Sequence, residues 1–335
     1  LLGVLFVTPF VVAYALFVRW VDRFEPEPWG LLLFAFCYGA LFATLGGGIS
    51  SGIVQQLAAN ALSVPAESEK MQAFAATVLA PVFEELFKAG GLGILMALSA
   101  SRLHEIDGPL DGVIYGGVIG LGFTLTEDIL YVASMYAQAG AVGFAGLLVV
   151  RTIFLGLSHC TFTALTGLGV GLAAESNRRG TKLGAPVAGL AAAIVLHALH
   201  NGLPTFFGAG GAVLMIAGSW LVNMAFFALL GILVARDRAI VARELETEVG
   251  DLLHAQEHAM VLSYVTLNAK NLGVLASQGF ARFRARRAKQ LALMELAFVK
   301  WRRRRGPLPP VLEEKERRLR TEIAQANVQG VWLAP

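Results

Sequence analysis

Four apolar stretches of this 335-residue chain carry side chains that can take or give a proton. Glu84, Glu85 and Lys88 lie in PVFEELFK, and Glu127 and Asp128 in GFTLTED. His159 lies in LSHCTFTALTG, and His197, His200 and Asn201 in LHALHNG. An ionisable group inside a bilayer costs about 2.5 kcal/mol or more, so it faces a partner, a cavity or the bundle interior. By residue count along each stretch, these groups fall at a similar depth and read as one site. Such a set suits the activation of water. A buried carboxylate poised near neutral pH can take a proton from water as a general base. Imidazole and amide N–H groups can then stabilise the oxygen that gains charge. The same residues, above all Glu85, Glu127, His159 and His197, could instead hold a zinc ion that activates the water. The residue types leave both routes open.

Spacing refines the set. Glu84 and Lys88 are four apart and so can pair on one helix face. Glu85 is turned by about 100° from Glu84, so one carboxylate can be held while the other addresses a cavity. His197 and Asn201 share a face, as do His159, Thr163 and Gly167. Some of these side chains have plainer readings. His200 reads as a hydrogen bond between helices, and Asp128 as a bond to a neighbouring helix. Glu84, Glu85 and Glu127 are harder to explain in that way, because acids at one depth repel unless protonated, paired or metal-bound. Two other patterns carry less. His254, Glu257 and His258 match H-x-x-E-H, but they lie on an amphipathic helix with no third ligand in view. His159 and Cys160 point about 100° apart on a helix, so they make no nucleophile–base pair. Cys160 reads as packing, and with Cys37 the only other cysteine neither a disulfide framework nor a cysteine zinc site is expected.

The elements that must position these groups are membrane helices. The chain is 56% hydrophobic, with a mean hydropathy of +0.63, against about 45–50% apolar in soluble domains. The apolar residues sit in runs long enough to cross a bilayer. Seven spans are expected, at about 1–18, 31–54, 72–98, 111–137, 148–172, 185–203 and 212–235. No basic region precedes the first run, which therefore reads as a span and not as a cleavable leader. The stretch from Gly140 to Ala174 is long for one span. Its first part is expected at the interface, with Arg151 where the helix enters the membrane. Gly112, Gly116 and Gly120 form a stripe at which another backbone could approach. No internal repeat of the transporter kind is evident.

Charge divides the chain. Residues 1–235 carry 9 Lys/Arg against 13 Asp/Glu, and residues 236–335 carry 18 against 11. The expected organisation is an all-α transmembrane bundle over 1–235 and a basic, helical, water-facing tail over 236–335. Arg19, Arg23, Arg102, Arg178, Arg179 and Lys182 fall in loops on one side, and only Lys70 on the other. The positive-inside rule makes the first side, and with it the tail, cytoplasmic. The tail reads foremost as a solvated helical appendage. Contact with anionic lipid or a cytosolic partner is the sharper alternative, and no nucleic-acid partner is expected.

These residues resemble a known family. Glu84-Glu85-Leu86-Phe87-Lys88 is similar to the EExxK motif of the PrsW family of intramembrane proteases. Phe123 to Asp128 resembles its FxxxE element, and His159 and the stretch from His197 to Asn201 resemble its third and fourth motifs. The resemblance covers about Val82 to Asn201. It implies an all-helical bundle akin to the CAAX prenyl endopeptidases and bacteriocin-processing enzymes. It also implies a bacterial plasma-membrane protein that cleaves a membrane-anchored protein, such as an anti-sigma factor. Glu84 and Glu85 would activate water, and Glu127, His159, His197 and Asn201 would complete the site. Lys88, Asp128, Phe123 and His200 would support it. Zinc is implied by analogy, whereas related enzymes suggest a glutamate base with His/Asn support for the oxyanion. Asp128 departs from the Asn usual at its position. Lys88 favours PrsW over the CAAX branch, which has Arg one position later. The rival readings are an ion- or proton-coupled transporter, since midplane Glu, Lys and His also serve relays, and a non-catalytic membrane scaffold.

Overall fold

The computed structural model describes residues 1–99 and 106–334. Part of the expected connection from Ser101 to Asp111, including Arg102, lies outside the described residues. Apolar runs in a bilayer must satisfy their backbone groups internally. Among the described residues the chain accordingly forms helices and no strand. The helices are α1 (Leu2–Val21), α2 (Trp29–Leu62), α3 (69–98), α4 (Pro109–Val149) and α5 (Ser158–Glu175). They continue with α6 (Arg179–Glu246), α7 (Ala255–Leu262), α8 (Tyr264–Arg305) and α9 (Pro310–Val328). Wider π-helical turns interrupt α2 at Tyr38–Ala43 and α3 at Ala75–Leu79, and a third follows α4 at Val150–Phe154. Such turns are frequent at functional sites.

Four helical runs are long and apolar enough to cross a membrane, by length and composition. They are Leu2–Val21, Trp29–Leu62, Pro109–Glu175 and Arg179–Glu246. The last two have 67 and 68 residues, roughly 100 Å of helix if straight, against a hydrocarbon core of about 30 Å. Both are broken. α4 breaks at Gly140 with φ +63°, and α6 at Gly208 with φ +54°. This left-handed backbone costs glycine little and other residues more.

The chain groups into two compact units. The first contains Leu1–Asp22 and Glu27–Leu230, and the second contains Arg23–Pro26 and Gly231–Pro335. In the first unit α4 is the central helix, and every residue from Pro109 to Thr124 is buried. Its glycines allow this. A Cβ on Gly112, Gly116 or Gly120 would lie 2.0, 2.5 or 2.3 Å from the carbonyl oxygens of Gly167, Thr163 and His159 on α5. On another face, a Cβ on Gly122 would lie 2.0 Å from the Phe36 carbonyl oxygen of α2. Backbones in such contact gain dispersion and lose little side-chain entropy. The seam fixes the depth of α5 against α4, and therefore the depth of His159.

The second unit has its own core, including Leu293, Met294, Leu296 and Ala297. Many of its charges pair internally. Lys289 Nζ lies 2.6 Å from Glu257 Oε1 and 3.0 Å from the Val331 carbonyl, and both side chains are buried. Burial lowers the Lys289 pKa below the usual lysine value. Arg320 donates to Glu248 at 2.8 and 2.9 Å. The H-x-x-E-H residues do not converge. Glu257 is held by Lys289, His258 Nε2 lies 2.9 Å from the Ala242 carbonyl, and the His254 ring lies beside Trp332.

Gly116→Val should lower the stability of the detergent-solubilised protein by about 1–3 kcal/mol through overpacking. Gly218→Val, where a Cβ meets nothing within 4 Å, should leave the thermal midpoint unchanged. Equal midpoints for the two variants would contradict the seam.

Candidate active site

α3 delivers the first carboxylates one turn after its π segment. Glu85 and Lys88 face the interior, each with no exposed side-chain surface, and Lys88 Nζ lies 2.8 Å from Glu85 Oε1. The expected Glu84–Lys88 pair is therefore not the one formed. A buried ammonium needs an equally buried anion, and the turn of about 100° per residue takes Glu84 away from that face. Glu85 has further partners. Its Oε1 lies 3.0 Å from His197 Nδ1, and its Oε2 accepts from Thr163 Oγ1 at 3.2 Å. Glu84 is different: 13% of its side chain is exposed, and its Oε2 has no hydrogen-bond partner.

The network fixes how the imidazoles are used. Lys88 Nζ also lies 3.1 Å from His159 Nδ1 and 3.7 Å from the centre of the Phe123 ring. An ammonium can only donate, so His159 accepts at Nδ1 and carries its proton at Nε2. That Nε2 lies 2.9 Å from Glu127 Oε2, which accepts. Glu85 accepts from His197 Nδ1 by the same logic, which leaves the lone pair of His197 Nε2 facing Glu84 Oε2 at 3.7 Å. α3, α4, α5 and α6 thus each contribute to one connected cluster of Glu84, Glu85, Lys88, Glu127, His159 and His197.

Two expected members bond elsewhere. Asn201 Nδ2 donates to the Ala76 carbonyl at 2.9 Å, within the π segment of α3. His200 Nδ1 lies 3.2 Å from Ser219 Oγ, across the break in α6. One residue not expected in the site belongs to it. Arg151 pairs with both Glu127 and Asp128, and its guanidinium lies 4.1 Å from the centre of the Tyr131 ring. Arg151 is therefore a member of the cluster. A signal was available in LLVVRTIFLG, because an arginine amid apolar residues requires a buried acid.

The donor set bears on metal binding. Glu85, His159 and His197 each offer a ligand atom within 4.8 Å of the others, and one carboxylate with two imidazoles is a zinc-type set. The Lys88 ammonium already contacts two of the three. Glu84 Oε2 has no hydrogen-bond partner among the described residues and lies 3.7 Å from His197 Nε2. Holding a histidine by one nitrogen on a carboxylate while the other stays open is how metal-binding histidines are oriented. Charge points the same way. Glu84, Glu85, Glu127 and Asp128 face two fixed cations, Lys88 and Arg151. If all four ionise, two negative charges remain for a divalent cation or two protons to balance. By donor type and spacing, Glu85, His159 and His197 fit a metal.

A family model described as PrsW family intramembrane metalloprotease matches residues 27–232. No curated protein and no solved structure matches the chain.

Lys88→Met removes the cation shared by Glu85 and His159. Breaking a buried pair from one side leaves an uncompensated charge, so a loss of about 3–5 kcal/mol is expected. Denaturant unfolding in detergent measures it, and a loss below about 1 kcal/mol would place the pair among weak surface-like bridges.

Proposed function

Since the chain belongs to the PrsW family of intramembrane proteases, we propose that it cleaves a membrane-anchored protein with water activated by Glu84. The observation that carries this reading is the state of Glu84 Oε2: buried, without a hydrogen-bond partner, and facing the open nitrogen of His197. Glu85, its neighbour, is engaged on both oxygens. The two glutamates therefore divide the work. Glu85 holds His197 and Lys88, and Glu84 takes the proton of the attacking water and returns it to the leaving nitrogen.

His197, with Glu85 and His159 beside it, would hold the metal that the family description implies. A divalent cation there would supply Lewis acidity toward the carbonyl and lower the pKa of a bound water. The chain's own residues prepare the place. Glu85 keeps Nδ1 of His197 protonated, so that Nε2 points outward. Lys88 keeps the His159 proton on Nε2, where it holds Glu127.

The integral membrane character rests on the family and on the apolar helices. A count of seven crossings has this support: α1, α2, α3, α4 as far as Gly140, α5, and the two parts of α6 about Gly208. α3 falls short of the composition of the other runs because it carries Glu84, Glu85 and Lys88. With that count, Arg19, Arg178, Arg179 and Lys182 lie on the cytoplasmic side, as does the basic tail. A bacterial plasma membrane and an anti-sigma factor as substrate follow from the family resemblance.

The test uses the full chain in liposomes with a single-span reporter protein. Wild type should cleave it. Glu84→Gln should lose at least about 100-fold in rate, the range of a general base, and keep its thermal midpoint. Glu85→Gln should lose both rate and stability. A Glu84→Gln variant with full activity would overturn the assignment, and cation flux without cleavage would favour a transporter. Elemental analysis should find about one zinc per chain in wild type and little in His197→Ala. Cleavage by metal-free protein would assign the chemistry to Glu84 alone.

A further inference from the structure

The mouth of the cluster is formed by Glu84, Glu127 and Arg151, whose side chains are 13, 18 and 15% exposed. The hydrolysis proposed above needs a donor for the scissile carbonyl oxygen as it gains negative charge. Most donors of the site are engaged elsewhere. His159 has both nitrogens bonded, and His197 donates to Glu85. Asn201 donates to Ala76, and Lys88 is fully buried between Glu85 and His159. Arg151 is arranged differently. Its Nε and Nη2 address Asp128 and Glu127, and its Nη1 makes no hydrogen bond among the described residues. Two carboxylates on one edge and an aromatic ring below hold the guanidinium plane in place. The outer N–H edge stays free at the mouth.

We propose, resting on the hydrolase reading above, that Arg151 is a catalytic residue whose outer N–H edge binds the oxyanion. Water oxygen bonds to the carbonyl carbon, and one water proton passes to Glu84. The carbonyl π pair moves onto oxygen, which accepts from Arg151. When the C–N bond breaks, that pair reforms the carbonyl and the Glu84 proton goes to the leaving nitrogen. The products are an acid and an amine, and Arg151 keeps all its protons. Glu127 and Asp128 are then positioning residues that act through Arg151. The guanidinium suits this because its planar fork can bond on two edges at once.

The experiment compares wild type, Arg151→Gln and Arg151→Lys, each as the full chain in detergent. The probe is an internally quenched apolar peptide whose scissile bond is located by mass spectrometry. Its phosphinate analogue carries tetrahedral anionic oxygens at that bond. For Arg151→Gln, kcat should fall about 100-fold or more, the range for loss of an oxyanion donor. KM should stay within threefold, and phosphinate affinity should fall by a factor similar to that in kcat. Should Arg151→Gln fail to fold, Arg151→Lys keeps the charge beside Glu127 and Asp128 but lacks the outer edge. It should fold, and should lose at least tenfold in both kcat and phosphinate affinity. A fall in kcat with unchanged phosphinate affinity would make Arg151 a positioning residue and overturn the proposal, as would wild-type kcat in Arg151→Gln. Cleavage by wild type that Glu84→Gln abolishes keeps the hydrolase reading independent of this result. No cleavage by wild type would sink both.

Discussion

A lysine ammonium with no exposed surface, held between Glu85 and His159, is the interaction on which the site depends. A charge taken out of water is tolerable only when each of its donors meets an acceptor. Lys88 meets this demand with one carboxylate, one imidazole and the face of Phe123. Each of those partners is thereby fixed. Glu85 can still accept from His197 and Thr163, and His159 must present its proton to Glu127. Four helices are joined by this chain of bonds. The order of protons along it follows from one fact, that an ammonium donates and never accepts.

Backbone geometry makes the chain of bonds possible. Side chains reach each other across helices only if the helices come close, and along α4 they are as close as peptide groups allow. Glycine at 112, 116 and 120 brings α5 in on one side, and glycine at 122 brings α2 in on another. The π turns contribute locally. Val150–Phe154 ends in a break before α5 and carries Arg151, and Ala75–Leu79 offers the carbonyl that holds Asn201. Breaks and wide turns at this depth are tolerated where they are covered by protein or line a cavity.

The second unit solves a different problem with similar means. Its helices are rich in Arg, Lys and Glu, and most of these charges meet an opposite charge within the unit. The pair of Lys289 and Glu257 is buried, and the carboxylate also accepts from the backbone N–H of Leu333 at 2.9 Å. These bonds engage all three residues of the H-x-x-E-H pattern, or their neighbours, in packing and capping. The pattern is a product of helical spacing, and its three residues do not converge.

The residue types alone pointed to a helical chain and to membrane proteins, and they marked Glu84, Glu85, Glu127, His159 and His197 as candidates for one site, which the fold gathers into one cluster. Ionisable groups in apolar runs have few explanations, and their order along the chain matched a family that residues 27–232 share. Tertiary structure decided the pairing. Sequence spacing allowed Lys88 to reach Glu84 or Glu85, and burial chose Glu85. Asn201 sits on the expected helix, yet a carbonyl freed by a π turn claims its amide, and no periodicity reveals such a turn. Arg151 was visible as a charge but not as a member of the site, because its partners lie 23 and 24 residues away and are reached only when the chain folds back. Sequence records which groups are costly to bury, whereas three-dimensional proximity decides which group relieves the cost of which.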